Sequence, residues 1–166
     1  LHIVERGIDR GVRFRDLNGD SISDLMVNNN SQNAVFLWNE QASEWQRASF
    51  TLPERGCLVD AHGSDQGLRF VDLDGDLDDD IVLSNERQYW VRLFEGPTDG
   101  WSKQVRSGEP GDSGALPMIV RRGKLNGVWF HSGAMILENE YTMKNKDFIT
   151  RIPFSASSTR CSRPAT

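Results

Sequence analysis

Long apolar runs are missing from this sequence of 166 residues. No run approaches the ~20 apolar residues that a membrane-spanning helix needs, so the sequence predicts no such helix. Positive charges are scattered and form no stripe that alternates with aromatic residues, which argues against nucleic-acid binding. With 37% hydrophobic residues and a mean hydropathy of −0.52, the chain is expected to be a soluble single domain with a modest core.

Cysteine and histidine are also scarce. Cys57 and Cys161 permit at most one internal disulfide, and we expect thiols because Cys161 lies in a stretch without apolar periodicity. His2, His62 and His131 are too far apart to form a local zinc motif. No Cys-x-x-Cys-His sequence is present, so haem attachment through that motif is excluded.

The two ends of the sequence carry little information about targeting. The chain begins with Leu1 and shows no positively charged, apolar leader, which suggests a mature form, a fragment or a trimmed form. Residues 155–166 are rich in Ser, Thr and Arg, and we predict a disordered tail or sequence foreign to the original protein. One domain is therefore expected over residues 1–154.

Aspartate, in contrast, is concentrated in two short stretches. Residues 72–80 read DLDGDLDDD and residues 16–24 read DLNGDSISD. Carboxylates packed this closely repel one another unless a cation holds them, and Ca²⁺ takes about six to eight oxygen ligands of this kind. The net charge is −5, and two calcium ions would bring it to about −1 (−5 plus 4). The sequence therefore predicts two calcium sites, which we call the first loop (residues 16–24) and the second loop (residues 72–80).

Both loops belong to a longer internal repeat. Residues 9–47 align without a gap with residues 65–103, and residues 11–20 match residues 67–76 at seven of ten positions. A short alternating run precedes each loop (12–14 and 68–70), and a continuous apolar run follows it (25–27 and 81–83), which favours antiparallel strands. Third and fourth strands are predicted at 34–38 and 45–50, and at 89–94 and 101–105. Four short strands per roughly 40–50 residues are typical of a propeller blade.

A third, degraded unit is predicted after a Gly/Pro-rich loop at residues 108–114. Its expected strands are residues 117–120, 128–131 and 135–137, and the connecting residues 121–127 contain no acid that could bind calcium. Helix is expected only for a turn or two within residues 138–148. The predicted fold is all-β, with about three four-stranded blades at residues 9–55, 65–107 and 115–150 that form a partial β-propeller.

The pattern D-x-D/N-G-D-x-x-x-D, between an Arg-Phe strand and an apolar strand, resembles the FG-GAP/VCBS repeat family. Members of this family form β-propellers with calcium loops similar to those of integrin α-subunits. The resemblance covers residues 9–103 well and residues 115–142 weakly. Residues 67–131 are also similar to propeller regions of large planctomycete-type multidomain proteins.

This resemblance implies a set of calcium ligands in each loop. The side-chain ligands would be Asp16, Asn18, Asp20 and Asp24 in the first loop and Asp72, Asp74, Asp76 and Asp80 in the second, with backbone carbonyls from Ile22 and Asp78. The family usually has glycine at the sixth position, where Ser21 and Leu77 stand here. An unusual φ is expected at both residues, with an effect on affinity. The second loop carries more charge and is expected to bind calcium more tightly.

The sequence is compatible with two functions. The first is a calcium-stabilised module that binds or scaffolds within an exported protein, with the calcium mainly structural. The alternative is a calcium-dependent hydrolase of phosphoesters, phosphotriesters or lactones, with its site where blades converge and His62 or Asp65 as candidate bases. Whether the chain is an enzyme is not decided by these residues.

The number of blades leads to a prediction about partners. A closed propeller usually has about four to eight blades, and this chain supplies about three. Either the chain is part of a longer propeller, or two copies join as a homodimer to make six blades. We expect self-association, most simply a two-fold dimer.

Overall fold

The computed structural model describes residues 2–54 and 56–154, so the predicted tail and its Cys161 lie outside the described residues. The regular structure in these residues is β-strand apart from one 3₁₀ turn, Thr142–Lys144, which confirms the all-β prediction. Over the same residues, no helix combines the length and the apolar character needed to cross a membrane. The first element is a hairpin of β1 (Val4–Glu5) and β2 (Ile8–Asp9).

Two four-stranded antiparallel sheets follow, and in each the strands lie side by side in chain order. The first sheet contains β3 (Val12–Arg15), β4 (Asp24–Asn28), β5 (Asn33–Asn39) and β6 (Glu44–Arg47). The second sheet contains β7 (Leu68–Val71), β8 (Asp80–Ser84), β9 (Tyr89–Leu93) and β10 (Lys103–Gly108). The repeat is thus a structural repeat, and each acidic loop joins the first two strands of its sheet. The fourth strands lie at slightly different positions from those predicted.

The third unit has a different register from the one predicted. Residues 117–120 do not supply the first strand of its sheet; instead β11 (Val120–Arg121) pairs with β12 (Lys124–Leu125) in a separate hairpin. The third sheet contains β13 (Val128–His131), β14 (Ala134–Leu137) and β15 (Thr150–Pro153). Residues 128–131 are therefore the first strand of the third unit and not the second.

A glycine identifies the correct register. Gly127 has a φ of 70°, and its carbonyl accepts a hydrogen bond from the amide of Glu138 at 2.9 Å. Gly11 and Gly67 occupy the same place before the first strands of the other sheets, with φ of 68° and 83° and equivalent bonds. The prediction was wrong because the apolar run at 117–120 imitates a first strand, while the acidic loop that marks this point elsewhere is replaced by the short turn at residues 132–133.

The three sheets pack against one another in chain order. One buried cluster joins Met26 and Val35 of the first sheet to Ile81 and Leu83 of the second. A second cluster joins Val82 on the opposite face of the second sheet to the third sheet. The strand β8 is buried along its whole length because both of its faces are covered, which explains its continuous apolar sequence.

Candidate metal centre

The ninth residue of each acidic loop is a fully buried aspartate. Asp24 and Asp80 are both 0% exposed. Asp24 accepts hydrogen bonds from the backbone amides of Leu17 and Trp38 at 2.9 and 2.8 Å. Asp80 makes the two equivalent bonds at the same distances. Each carboxylate therefore ties the beginning of its loop to the end of the third strand, a contact that the sequence analysis did not predict.

Burial makes the charged form of these aspartates unfavourable. Burial raises the pKa of Asp80 to about 6, and the carboxylates of Asp74 and Asp76 add to the rise, while its two backbone hydrogen bonds oppose it. The pKa of Asp24 is raised for the same main reason. In metal-free protein, the raised pKa of Asp80 stabilises the folded state below pH about 4, and this contribution is lost as pH rises through about 6. A cation beside the carboxylate would reverse the shift.

The second loop brings several carboxylates together. Oxygen atoms of Asp72, Asp74 and Asp80 lie within 4.8 Å of one another. Asp72 also accepts hydrogen bonds from the amides of Gly75 at 2.7 Å and Leu77 at 3.3 Å, which fix the turn around it. The pKa of Asp74 is raised mainly by its partial burial, and the negative charges of neighbouring aspartates add to the rise. A compact group of carboxylate oxygens of this kind fits the ligand preference of a hard divalent cation.

The first loop is folded by closely similar contacts. Asp16 accepts hydrogen bonds from the amides of Gly19, Asp20 and Ser21 at 2.8, 3.2 and 2.8 Å. The amide oxygen of Asn18 accepts a bond from the backbone of Asp20 at 3.1 Å. Asn18 stands where the second loop has Asp74, so the first loop offers one less negative charge at that place.

The sixth position of each loop has the unusual backbone that the sequence predicts. Ser21 has a φ of 67° and Leu77 a φ of 79°, both in the left-handed region. Residues other than glycine lose about 1–2 kcal/mol in this conformation. The Leu77 side chain is 89% exposed, so no packing offsets this cost.

A second polar contact also repeats between the units. The guanidinium of Arg13 forms two hydrogen bonds with the carboxylate of Asp9 at 3.0 and 2.7 Å, and Arg69 does the same with Asp65 at 3.0 and 2.6 Å. The hydrogen bond from Arg13 is the main cause of a lowered pKa at Asp9. The aligned Asp and Arg residues, four positions apart in both units, were a signal that the sequence analysis did not use.

The two candidate bases lie near this contact. Asp65 is held by Arg69 and also accepts a bond from the amide of Gly67 at 2.8 Å. It lines a cleft of about 640 Å³ together with Cys57 and Glu86. His62 is exposed in the preceding turn, where its backbone amide donates to Asp60 at 2.9 Å. The role of both residues as bases stays a prediction.

Comparison with known proteins supports the repeat assignment. The family model described as FG-GAP-like repeat matches residues 16–83, which include both acidic loops, strands β4 to β7 and all of β8 except Ser84. No curated protein and no solved structure matches the chain. The similarity to planctomycete-type proteins therefore stays a prediction. Over residues 16–83, the chain is similar to the FG-GAP-like repeat family.

Proposed function

We propose that this protein is a calcium-stabilised repeat module that acts in binding or scaffolding. The observation that carries the proposal is the group of oxygens from Asp72, Asp74 and Asp80 within 4.8 Å, in a loop whose fold recurs in the first sheet. The proposed ligands are the side chains of Asp16, Asn18, Asp20 and Asp24 with the carbonyl of Ile22, and the side chains of Asp72, Asp74, Asp76 and Asp80 with the carbonyl of Asp78. Bound calcium would neutralise carboxylates that otherwise repel and open the turn.

A structural role for calcium is favoured over a catalytic one. The loop occurs once in each of the first two sheets, and Asp24 and Asp80 also hold backbone amides of their own sheet. FG-GAP-like repeats are typical of extracellular domains, and we propose that this protein is exported. Calcium sites of extracellular modules bind at about 10⁻⁴–10⁻³ M, which suits loops with a strained sixth residue.

The hydrolase alternative has less support. Asp65 would need to accept a proton, but it forms two hydrogen bonds with Arg69, and the same pair recurs at Asp9 and Arg13. A contact that occurs in both of the first two units is more consistent with a structural role than with a unique catalytic centre.

Calorimetric titration with CaCl₂ tests the proposed function. We expect two ions per chain at pH 7.5, and an affinity of the second loop about tenfold weaker at pH 5, because Asp80 with a pKa of about 6 must first lose a proton. A titration with Na⁺ in place of Ca²⁺ is the control. If no calcium binds at pH 7.5, the proposed function is wrong.

The exposed face of the first sheet supports a proposal about self-association. Three aromatic residues of this face, which we call the first trio, are Phe14, Trp38 and Trp45. The residues at the equivalent positions of the second unit, which we call the second trio, are Phe70, Phe94 and Trp101. The ring centre of Trp45 lies 5.2 Å from that of Trp38 and 6.3 Å from that of Phe14. In the second trio, the ring centre of Trp101 lies 5.2 Å from that of Phe94 and 5.8 Å from that of Phe70. Phe14 and Trp45 are 43% and 45% exposed.

The preceding unit covers the second trio. Phe50 of the first unit packs 5.8 Å from Phe94 and 5.7 Å from Trp101, and Trp101 is 3% exposed. The first trio therefore presents a surface that a neighbouring repeat covers elsewhere in the same chain. We propose that a second copy covers it, with the partly exposed Trp129 of its third sheet at the contact, as in the predicted six-bladed dimer.

Substitution of the first trio tests this proposal. Phe14→Lys and Trp45→Lys are each expected to weaken the dimer at least thirtyfold, about 2 kcal/mol, because a charge would replace a buried aromatic contact. Light scattering at tens of micromolar measures the change. Val105→Lys, at an exposed apolar residue of β10, is the matched control and should leave the dimer intact. A monomeric parent protein would contradict the proposal.

A further inference from the structure

We propose that the ion pair between Arg15 and Asp79 couples cation binding in the second loop to the packing of the first sheet on the second. The inference rests on the proposed calcium binding. It makes Arg15, a residue of the first sheet, a positioning residue for a calcium site in the second sheet.

Asp79 is held from outside its own loop. It lies between Asp78, whose carbonyl is a proposed ligand, and the buried Asp80. Its carboxylate accepts a hydrogen bond from the guanidinium of Arg15 at 2.8 Å, and its carbonyl accepts one from the indole N–H of Trp101 at 2.7 Å. The carboxylate and the backbone carbonyl of Asp79 are therefore both held by groups from outside the second loop.

The groups that hold Asp79 also join the two sheets. The guanidinium of Arg15 lies 4.8 Å from the ring centre of Phe70, and Phe70 lies 5.8 Å from Trp101. Trp101 in turn packs 5.7 Å from Phe50 of the first unit. Asp79, Arg15, Phe70 and Trp101 thus form a closed ring of contacts across the boundary between the sheets.

The first loop lacks these contacts and serves as an internal comparison. Ser23 stands at the position of Asp79 and has no carboxylate to offer. Trp45 stands at the position of Trp101 and is 45% exposed. The repeat therefore contains one loop that is tied to a neighbouring sheet and one that is not.

The coupling follows from shared ordering of one chain segment. Calcium would order residues 78–80 through the carbonyl of Asp78 and the carboxylate of Asp80, and the contacts with Arg15 and Trp101 order the same residues. If calcium binds first, less conformational entropy is lost when the contacts with Arg15 and Trp101 form, and if these contacts form first, less is lost when calcium binds. Linkage requires the effect to be reciprocal, so bound calcium would strengthen the contact between the sheets by the same factor.

Arg15→Gln gives a test in which two explanations predict opposite signs. Loss of a positive charge near the second loop would, through charge alone, tighten calcium binding. Loss of positioning is expected to weaken it about fivefold, the lower end of typical couplings. Calorimetric titration of the full chain with CaCl₂ should show this weakening at one of the two sites. The first loop, whose proposed ligands Asp16 and Asp24 lie beside Arg15, should bind with unchanged or slightly higher affinity through the lost charge alone. Arg15→Lys keeps the charge and should recover most of the affinity, and Arg47→Gln removes an exposed arginine of the same sheet as the control.

A second pair of variants serves if Arg15→Gln does not fold. Asp79→Asn and Asp78→Asn each remove one charge from the second loop, but only Asp79 contacts Arg15, so Asp79→Asn should weaken binding by at least threefold more than Asp78→Asn. Calcium binding that is unchanged or tighter in Arg15→Gln, or equal in the two aspartate variants, would overturn the inference alone. A parent protein that binds no calcium would overturn the proposed function as well.

Discussion

Removal of calcium is expected to lower the melting temperature of the full chain by about 10–20 °C. An ion present at about one hundred times its Kd stabilises the folded state by about 2.7 kcal/mol per site, and two sites give about 5 kcal/mol. For a chain of this length, 1 kcal/mol shifts the melting temperature by about 2–4 °C. Scanning calorimetry in CaCl₂ and in EDTA measures the difference.

Two controls accompany this measurement. Addition of excess CaCl₂ after EDTA should restore the original melting temperature, which separates metal loss from irreversible damage. Mg²⁺ should restore little of it, because Mg²⁺ demands a tighter octahedral geometry and gives up its water reluctantly. Equal melting temperatures in calcium and EDTA would show that the acidic loops do not stabilise the fold through calcium.

Replacement of the buried aspartates is expected to have the second largest effect. Asp80→Ala and Asp24→Ala should each reduce the number of bound ions from two to one and lower the stability in calcium by about 3 kcal/mol or more. Each change removes a ligand and leaves two backbone amides without an acceptor, at about 1–3 kcal/mol for each amide that is fully buried; the amide of Trp38, which bonds Asp24, is only partly buried. Urea unfolding in CaCl₂ measures the loss. In EDTA the loss for Asp80→Ala should be smaller, because removal of an unfavourable buried charge offsets part of it.

Asp78→Asn is the matched control for these variants. It removes one carboxylate from the same loop, but the side chain is exposed and the proposed ligand is the backbone carbonyl, which the substitution keeps. Its effect on stoichiometry should therefore be absent. If Asp78→Asn lost an ion while Asp80→Ala kept both, the assigned roles within the loop would be reversed.

Local sequence was enough to predict much of the first two sheets. The alternation around Arg13 and Arg69, the continuous apolar strands and the gapless repeat fixed the strand order, because these features report burial and turn chemistry within a few residues. The left-handed backbone at Ser21 and Leu77 followed from position alone. Calcium binding itself stays a prediction.

Other features depend on contacts that no local pattern reveals. The pairing of Arg15 with Asp79 joins residues 64 positions apart, and nothing near either residue indicates the partner. The hydrogen bonds from the amide of Trp38 to Asp24 and from the amide of Phe94 to Asp80 each join residues that are 14 positions apart in the sequence. The third unit was misaligned because its acidic loop, the feature that sets the register elsewhere, has been lost.

The third unit makes one end of the row of three sheets chemically different from the other end. Its first two strands are joined by residues 132–133, without an acidic loop, and Leu125 and Trp129 occupy the positions of the repeated Asp–Arg pair. The acidic loops are thus confined to the first two sheets of the described residues, and the third unit carries the exposed apolar side chains of Leu125 and Trp129 where those sheets carry the Asp–Arg pair. A row of this kind melts as a set of coupled neighbours. Its cooperativity, and not only its stability, would then be set by the ionic composition of the surroundings.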